Sequence, residues 1–235
     1  MPRNIDWLLA SMLLGLSPIS VAATESQGPP SPTVERLGEH HYRIGQIEVY
    51  RTEERFTVPA TVIDLGSPQA PLEYFAVTKG GFKAYESLLE LETNAIEFNL
   101  ACILIGLERR DSVDASLRGR FDPQPTEGER VALWLSWEAN GEQFHKPAIE
   151  LIRLQDGSSP SDEWVYTGSL HDPEGQYAAD IVGTVVGLMH DPASIIEHRV
   201  GIGLGKYGLA GYDPGITPPP GTRMLLTVKR IGDPQ

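Results

Sequence analysis

The chain has a single cysteine, Cys102, in 235 residues. An intramolecular disulfide is therefore excluded, and the fold must rest on its apolar core. Positive charge is also scarce: 19 Lys and Arg stand against 32 Asp and Glu, giving a formal net charge of −13. This balance disfavours nucleic acid and anionic membrane surfaces and favours solubility, while leaving a basic partner open. No apolar run reaches the about 20 residues that a membrane-spanning helix needs. A Gly-x-Ser-x-Gly elbow, a complete phosphate-binding fingerprint and an established metal-ligand spacing are likewise missing. Nothing in the sequence asks for a metal or a cofactor.

What is present begins with an address. Arg3, the apolar run from Trp7 to Leu16, the breaker Pro18 and the small residues Ser20-Val21-Ala22-Ala23 read as a secretory signal peptide over residues 1–23. The expected product is exported, periplasmic or secreted, with no stable membrane span after cleavage. Cleavage removes Arg3 and Asp6 together, so the net charge stays at −13. Residues 24–39 include Gly28-Pro29-Pro30-Ser31-Pro32, which resists helix and sheet and reads as a flexible leader. Residues 40–235 then form one domain, long enough to bury a sizeable core.

Within that domain, β-branched and aromatic runs predict strands over Tyr42 to Tyr50, Phe56 to Leu65 and Leu72 to Thr78. Pro59 argues for an edge position or a bulge. Lys79-Gly80-Gly81 reads as a turn, and Phe82 to Leu91 as a strand in preference to a short helix, Leu88, Leu89 and Leu91 fitting both periods imperfectly. Asn94 is placed to cap a helix, Glu97 completes a variant capping box, and Arg109-Arg110 mark its end. Between these signals the segment has almost no polar face, so the helix is expected to be buried nearly all round. Asp111 to Glu129 reads as a surface loop. Arg130 to Glu138 alternates with Val131, Leu133, Leu135 and Trp137 on one face, and Asn140-Gly141 signals a type I′ hairpin. Phe144 to Leu154 returns and ends in a helical turn, short strands follow over Trp164 to Ser169 and Gln176 to Met189, and Asp191-Pro192 opens a short helix through about His198. Met224 to Ile231 is the last strand. The expected fold is α+β: a β-rich single domain of mostly antiparallel strands packed around one buried helix, with one or two short helices besides.

Few residues offer chemistry. His171, Asp172, His190, Asp191 and His198 are metal-ligand types, but both His-Asp-Pro triplets read better as turns in which Asp accepts backbone N–H bonds and Pro fixes φ. The series Gly201-x-Gly203-x-Gly205-Lys206 lacks the following helix that phosphate binding uses. Cys102 lies mid-helix among apolar residues, as a core thiol does. Ser87 beside Glu86 and near Lys83 could be drawn as a nucleophile with its activators, though adjacent strand residues face opposite ways. Trp134, Trp137, Trp164, Tyr207 and Tyr212 could line a groove, the two tyrosines being the better candidates because they lie in a glycine-rich loop.

Several short motifs recur together: Leu72-Glu73-Tyr74, Lys83-Ala84-Tyr85-Glu86-Ser87-Leu88-Leu89, the apolar helix ending Leu104-Ile105-Gly106, and Trp164-Val165-Tyr166-Thr167-Gly168-Ser169. Tyr177-Ala178-Ala179-Asp180, His190-Asp191-Pro192 and Pro220-Gly221-Thr222 extend the set. Over about residues 40–231 the chain resembles the YdjY-like domain family of exported bacterial proteins. The resemblance implies one exported domain and brings no activity with it. It points to Lys83, Glu86, Asp180, His190 and Asp191 as a shared surface, to which the residue reading adds Ser87. Members of the family carry His where this chain has Tyr85, so a His–Glu site does not carry over.

The expected function is a non-catalytic binding or interaction module for a protein or small-molecule ligand. The alternative is a metal-assisted or acid-base hydrolase using Glu86 with His190 and Asp191.

Overall fold

The computed structural model describes residues 32–109, 124–202 and 210–232. Strands β1 (Val34–Arg36), β2 (His41–Ile44), β3 (Ile47–Tyr50) and β4 (Arg55–Val62) form an antiparallel meander. It begins within the stretch read as a leader. After β5 (Tyr74–Thr78) the chain crosses back to β6 (Ser87–Leu91), which pairs parallel to β5, and enters helix α1 (Ala95–Leu104). The start of α1 is capped as its sequence dictates: Asn94 Oδ1 accepts the Glu97 N–H at 2.8 Å. The hairpin of β7 (Glu129–Ala139) and β8 (Glu142–Pro147) turns at Asn140 and Gly141, whose φ values of 53° and 79° are those of a type I′ turn. The remaining elements are β9 (Ile152–Leu154), β10 (Trp164–Tyr166), α2 (Ala178–Val182), β11 (Thr184–Gly187), β12 (Ile196–His198), β13 (Ala210–Tyr212) and β14 (Arg223–Arg230).

These strands do not wrap a helix, and the expected α+β arrangement is overturned. Strands β4, β14, β7, β10, β12, β11, β5 and β6 pair in that order, and β6 returns to β4 through Ala60↔Leu91, Thr61↔Glu90 and Val62↔Leu89. The result is a closed eight-stranded barrel with two helices among the described residues. Its interior is filled by alternate residues, including Phe56, Val58 and Ala60 of β4, Leu133 and Leu135 of β7, and Leu226 and Val228 of β14. Burying each such large side chain contributes about 1.5–3 kcal/mol.

Pro59 shows how the closure works. It sits in a barrel strand, neither at an edge nor at a bulge, and faces the side on which β4 changes partner. Residues 55–57 pair with β3 and residues 60–62 with β6. The Pro59 carbonyl accepts the Glu92 N–H at 2.9 Å, so the missing donor falls where neither ladder needs one.

Helix α1 lies over one end of the barrel, where β5 and β6 finish. Phe98 meets Phe56 of β4 edge-on at 5.2 Å between centroids, and Asn99 Oδ1 accepts the Tyr166 hydroxyl of β10 at 2.8 Å. A helix placed on the end of a filled barrel can be covered on one side only. Ala95, Phe98, Ala101 and Cys102 are buried, but Ile103 is 52% exposed, which corrects the expectation of burial all round. The helix also stops before Arg109. Gly106, at φ 88°, donates to Ile103 O while Leu107 N–H reaches Cys102 O, a Schellman stop.

Two further expectations change. Gln176 to Met189 begins as α2 and becomes a strand only at Thr184, and Asp191-Pro192 opens a turn that leads into strand β12. Among the described residues, no helix is long and apolar enough to cross a membrane.

Candidate functional site

The residues singled out by sequence fall into separate places. Lys83, Glu86 and Ser87 come together in the tight turn before β6. Lys83 Nζ contacts Glu86 Oε1 at 2.6 Å, and the Ser87 hydroxyl donates to Lys83 O at 2.6 Å. The Glu86 side chain is 5% exposed and that of Lys83 26%. Its hydrogen bond to Glu86 holds the Lys83 ammonium above its ordinary pKa. Ser87 is wholly buried and its hydroxyl closes the turn, so the group is arranged as a structural clasp.

His190 and Asp191 belong to a second cluster, completed by residues that sequence reading did not propose for a site. His190 Nδ1 lies 2.8 Å from Thr126 Oγ1 and 3.3 Å from Glu197 Oε2, and the Thr126 hydroxyl donates to Glu197 Oε2 at 2.9 Å. Glu197 Oε1 accepts the Asp191 N–H at 2.8 Å. Asp191 Oδ2 in turn accepts the Tyr74 hydroxyl at 2.6 Å, and Oδ1 accepts the Ala193 N–H at 3.0 Å. The network welds the 190–197 turn to β5 and to Thr126. His190 is 1% exposed, so no substrate reaches its ring in this conformation.

Strand β5 lies between the two clusters. Glu73 N–H donates to Glu86 O on one side, while Glu73 O accepts Leu188 N–H on the other. The main chains at Glu86 and Leu188 are thus two strand spacings apart, roughly 10 Å. The polar contacts of Glu86 run to Lys83 and those of His190 to Thr126 and Glu197. Asp180 is exposed on α2, which precedes β11 at the helix-covered end of the barrel.

Both His-Asp-Pro triplets are turns: Asp172 Oδ1 accepts Gln176 N–H at 2.7 Å, as Asp191 does for Ala193. His198 is buried against Trp164, with ring centroids 5.4 Å apart, and its Nε2 lies 2.8 Å from Ser161 O. Burial pushes its pKa down. Burial likewise raises the Cys102 thiol far from reactivity. Among the described residues no group of three or more His, Cys, Asp or Glu side chains could hold a metal.

Of the proposed groove aromatics, Trp164 and Trp137 are buried, whereas Trp134 is half-buried and stacks on His145 at 4.8 Å. Tyr207 and Gly203 to Lys206 lie outside the described residues. Tyr212 is half-buried and lines an open cleft of about 500 Å³ together with Pro68, Gln69, Arg153, Gly211 and Pro214. The cleft lies over the ribbon of β9 and β13, in which Arg153 stands opposite Gly211. Ile152, Leu154, Ala210 and Tyr212 pack against the core, leaving Arg153 and Gly211 on the other face. Arg153 pairs with Asp213, whose side chain is 9% exposed. Tyr212 is the groove candidate that the sequence already offers here, and the signal that could have found Arg153 is Ile-Arg-Leu at 152–154, a cation alternating with core residues.

A family model described as the YdjY domain matches residues 47–229. No curated protein and no solved structure matches the chain.

Proposed function

The chain belongs to the YdjY domain family, and from that premise we propose that it is an exported binding module, with its ligand in the cleft over the β9–β13 ribbon. Export rests on Arg3, the apolar run Trp7 to Leu16 and the small residues Ser20 to Ala23. The binding reading rests on one contrast. The groups suited to chemistry are closed, with Glu86 clasped by Lys83 and His190 buried, while the cleft is open and its volume of about 500 Å³ suits a small ligand or a short peptide segment. A hydrolase using Glu86 with His190 and Asp191 would need the clasp opened and the 190–197 turn unpacked before its groups could share a substrate.

Titration of the isotope-labelled chain with a fragment library, read by amide chemical shifts, tests this. Perturbations are expected at residues 152–157 and 210–214. Perturbations centred on Glu86 and His190, with ester turnover abolished by Glu86→Gln, would replace the binding reading with the hydrolase.

A further inference from the structure

Resting on the binding reading above, we propose that the cleft takes a carboxylate ligand, its carboxylate seated on Arg153 and its remaining atoms lying among Pro68, Tyr212 and Pro214.

Charge makes the first argument. The chain carries a net charge of −13. Yet among the described residues no Asp or Glu lines this cleft, and Arg153 is the one charged residue that does. Another cleft, about 310 Å³ in volume, is different in having an acid among its lining cations: Glu92 stands there with Lys79 and Arg223 and pairs with Lys79 at 2.8 Å. A cation that faces a cleft while its acidic partner Asp213 stands buried behind it presents its remaining donors to an anion.

The way Arg153 is held makes the second. Its Nη2 is tied to Asp213 Oδ2. Asp213 is itself fixed, with Oδ1 accepting the Gly215 N–H at 2.9 Å and its own N–H donating to Leu151 O at 2.8 Å. A guanidinium carries five N–H donors, so this tether orients the group and leaves most of them for a ligand. Half of the Arg153 side chain is open. A planar fork pre-oriented from behind is suited to the two oxygens of a carboxylate.

Shape makes the third. Gly211 stands directly opposite Arg153 and on the same face. A side chain there would meet Pro68 O at 2.7 Å. Glycine therefore lets the 67–70 segment close down onto the ribbon and wall the cleft beside Arg153. The amide of Gln69 adds a polar group at the rim.

The test uses benzoate against its neutral counterpart benzamide, followed by amide shifts of the full chain. Acetyl-Ala-Ala with a free or an amidated C-terminus distinguishes a peptide end from a free small acid. Benzoate is expected to bind at least about tenfold more tightly than benzamide, and more weakly as salt is raised. Arg153→Gln should remove that preference, and Arg153→Lys, which keeps a cation against Asp213 but loses the fork, should retain part of it. If the free peptide binds more tightly than benzoate, the ligand is a chain terminus; if benzoate is tighter, it is a small acid. Equal binding of benzoate and benzamide at residues 152–157 and 210–214 would overturn the carboxylate while leaving the cleft. Silence of all four probes there would overturn both. Persistence of the benzoate preference in a folded Arg153→Gln chain would overturn the role of Arg153.

Discussion

Replacing Lys83 by Met should destabilise the folded chain by about 2–3 kcal/mol at pH 7, and this loss should shrink as the pH falls. The substitution leaves the Glu86 side chain, 5% exposed, without the ammonium now 2.6 Å away. Breaking a fully buried pair costs about 3–5 kcal/mol. Lys83 is 26% exposed, however, so water reaches the site and lowers the cost. A ceiling comes from protonation. A carboxylate stranded without a partner can always take up a proton, which for an ordinary glutamate costs about 1.36 × (7 − 4.3), or roughly 3.7 kcal/mol, at pH 7. At pH 5 the same ceiling is only about 1 kcal/mol. Urea denaturation followed by tryptophan fluorescence reads the change, because Trp164 is 1% exposed in the folded chain. The double variant Lys83→Met/Glu86→Leu should recover most of the lost stability, since neither charge is then buried. A loss under about 0.5 kcal/mol at pH 7, or one that grows on acidification, would refute the clasp.

Three further outcomes follow from the same geometry. Burial depresses the His198 pKa, so its neutral form contributes stability that is complete above the unfolded value of about 6.5 and is lost as the pH falls through the window below it. Denaturation midpoints between pH 7 and 5 should show that slope, and His198→Gln should flatten it. Asp162, whose carboxyl burial holds above its ordinary range, takes up its proton first in the folded state and offsets part of the loss towards pH 4. Cys102 should react with an aromatic disulfide reagent only as fast as the chain opens, and complete labelling in native buffer within minutes would contradict its burial. Gly183→Ala should cost more than about 2 kcal/mol in thermal or urea unfolding, because φ is 79° and the new Cβ would lie 2.6 Å from Gly81 Cα. Gly66→Ala, at φ 69° with nothing within 4 Å, should cost only about 1–2 kcal/mol.

The candidate site was only partly legible in the sequence. Lys83, Glu86 and Ser87 are close in sequence, and their meeting in one turn needs only local geometry. His190 and Asp191 were also visible, but their partners were not, because Thr126 lies 64 residues from His190 and Tyr74 lies 117 from Asp191. Arg153 and Asp213, 60 residues apart, drew no attention, since neither stands in a motif.

The amino-acid sequence by itself determined what depends on neighbours along the chain. Alternation marked the inward face of β7, Asn94 set the start of α1, Asn140-Gly141 set the hairpin, and a single cysteine excluded a disulfide. Tertiary structure alone decided which strands meet. The pairing of β6 with β4 turned a set of antiparallel strands into a closed barrel and moved the helix from its expected centre to the barrel's end. Periodicity specifies which face of a strand is buried, but not the partner that buries it. Closure depends on contacts between segments about 30 residues apart or more, whose register is fixed only when the whole core is filled.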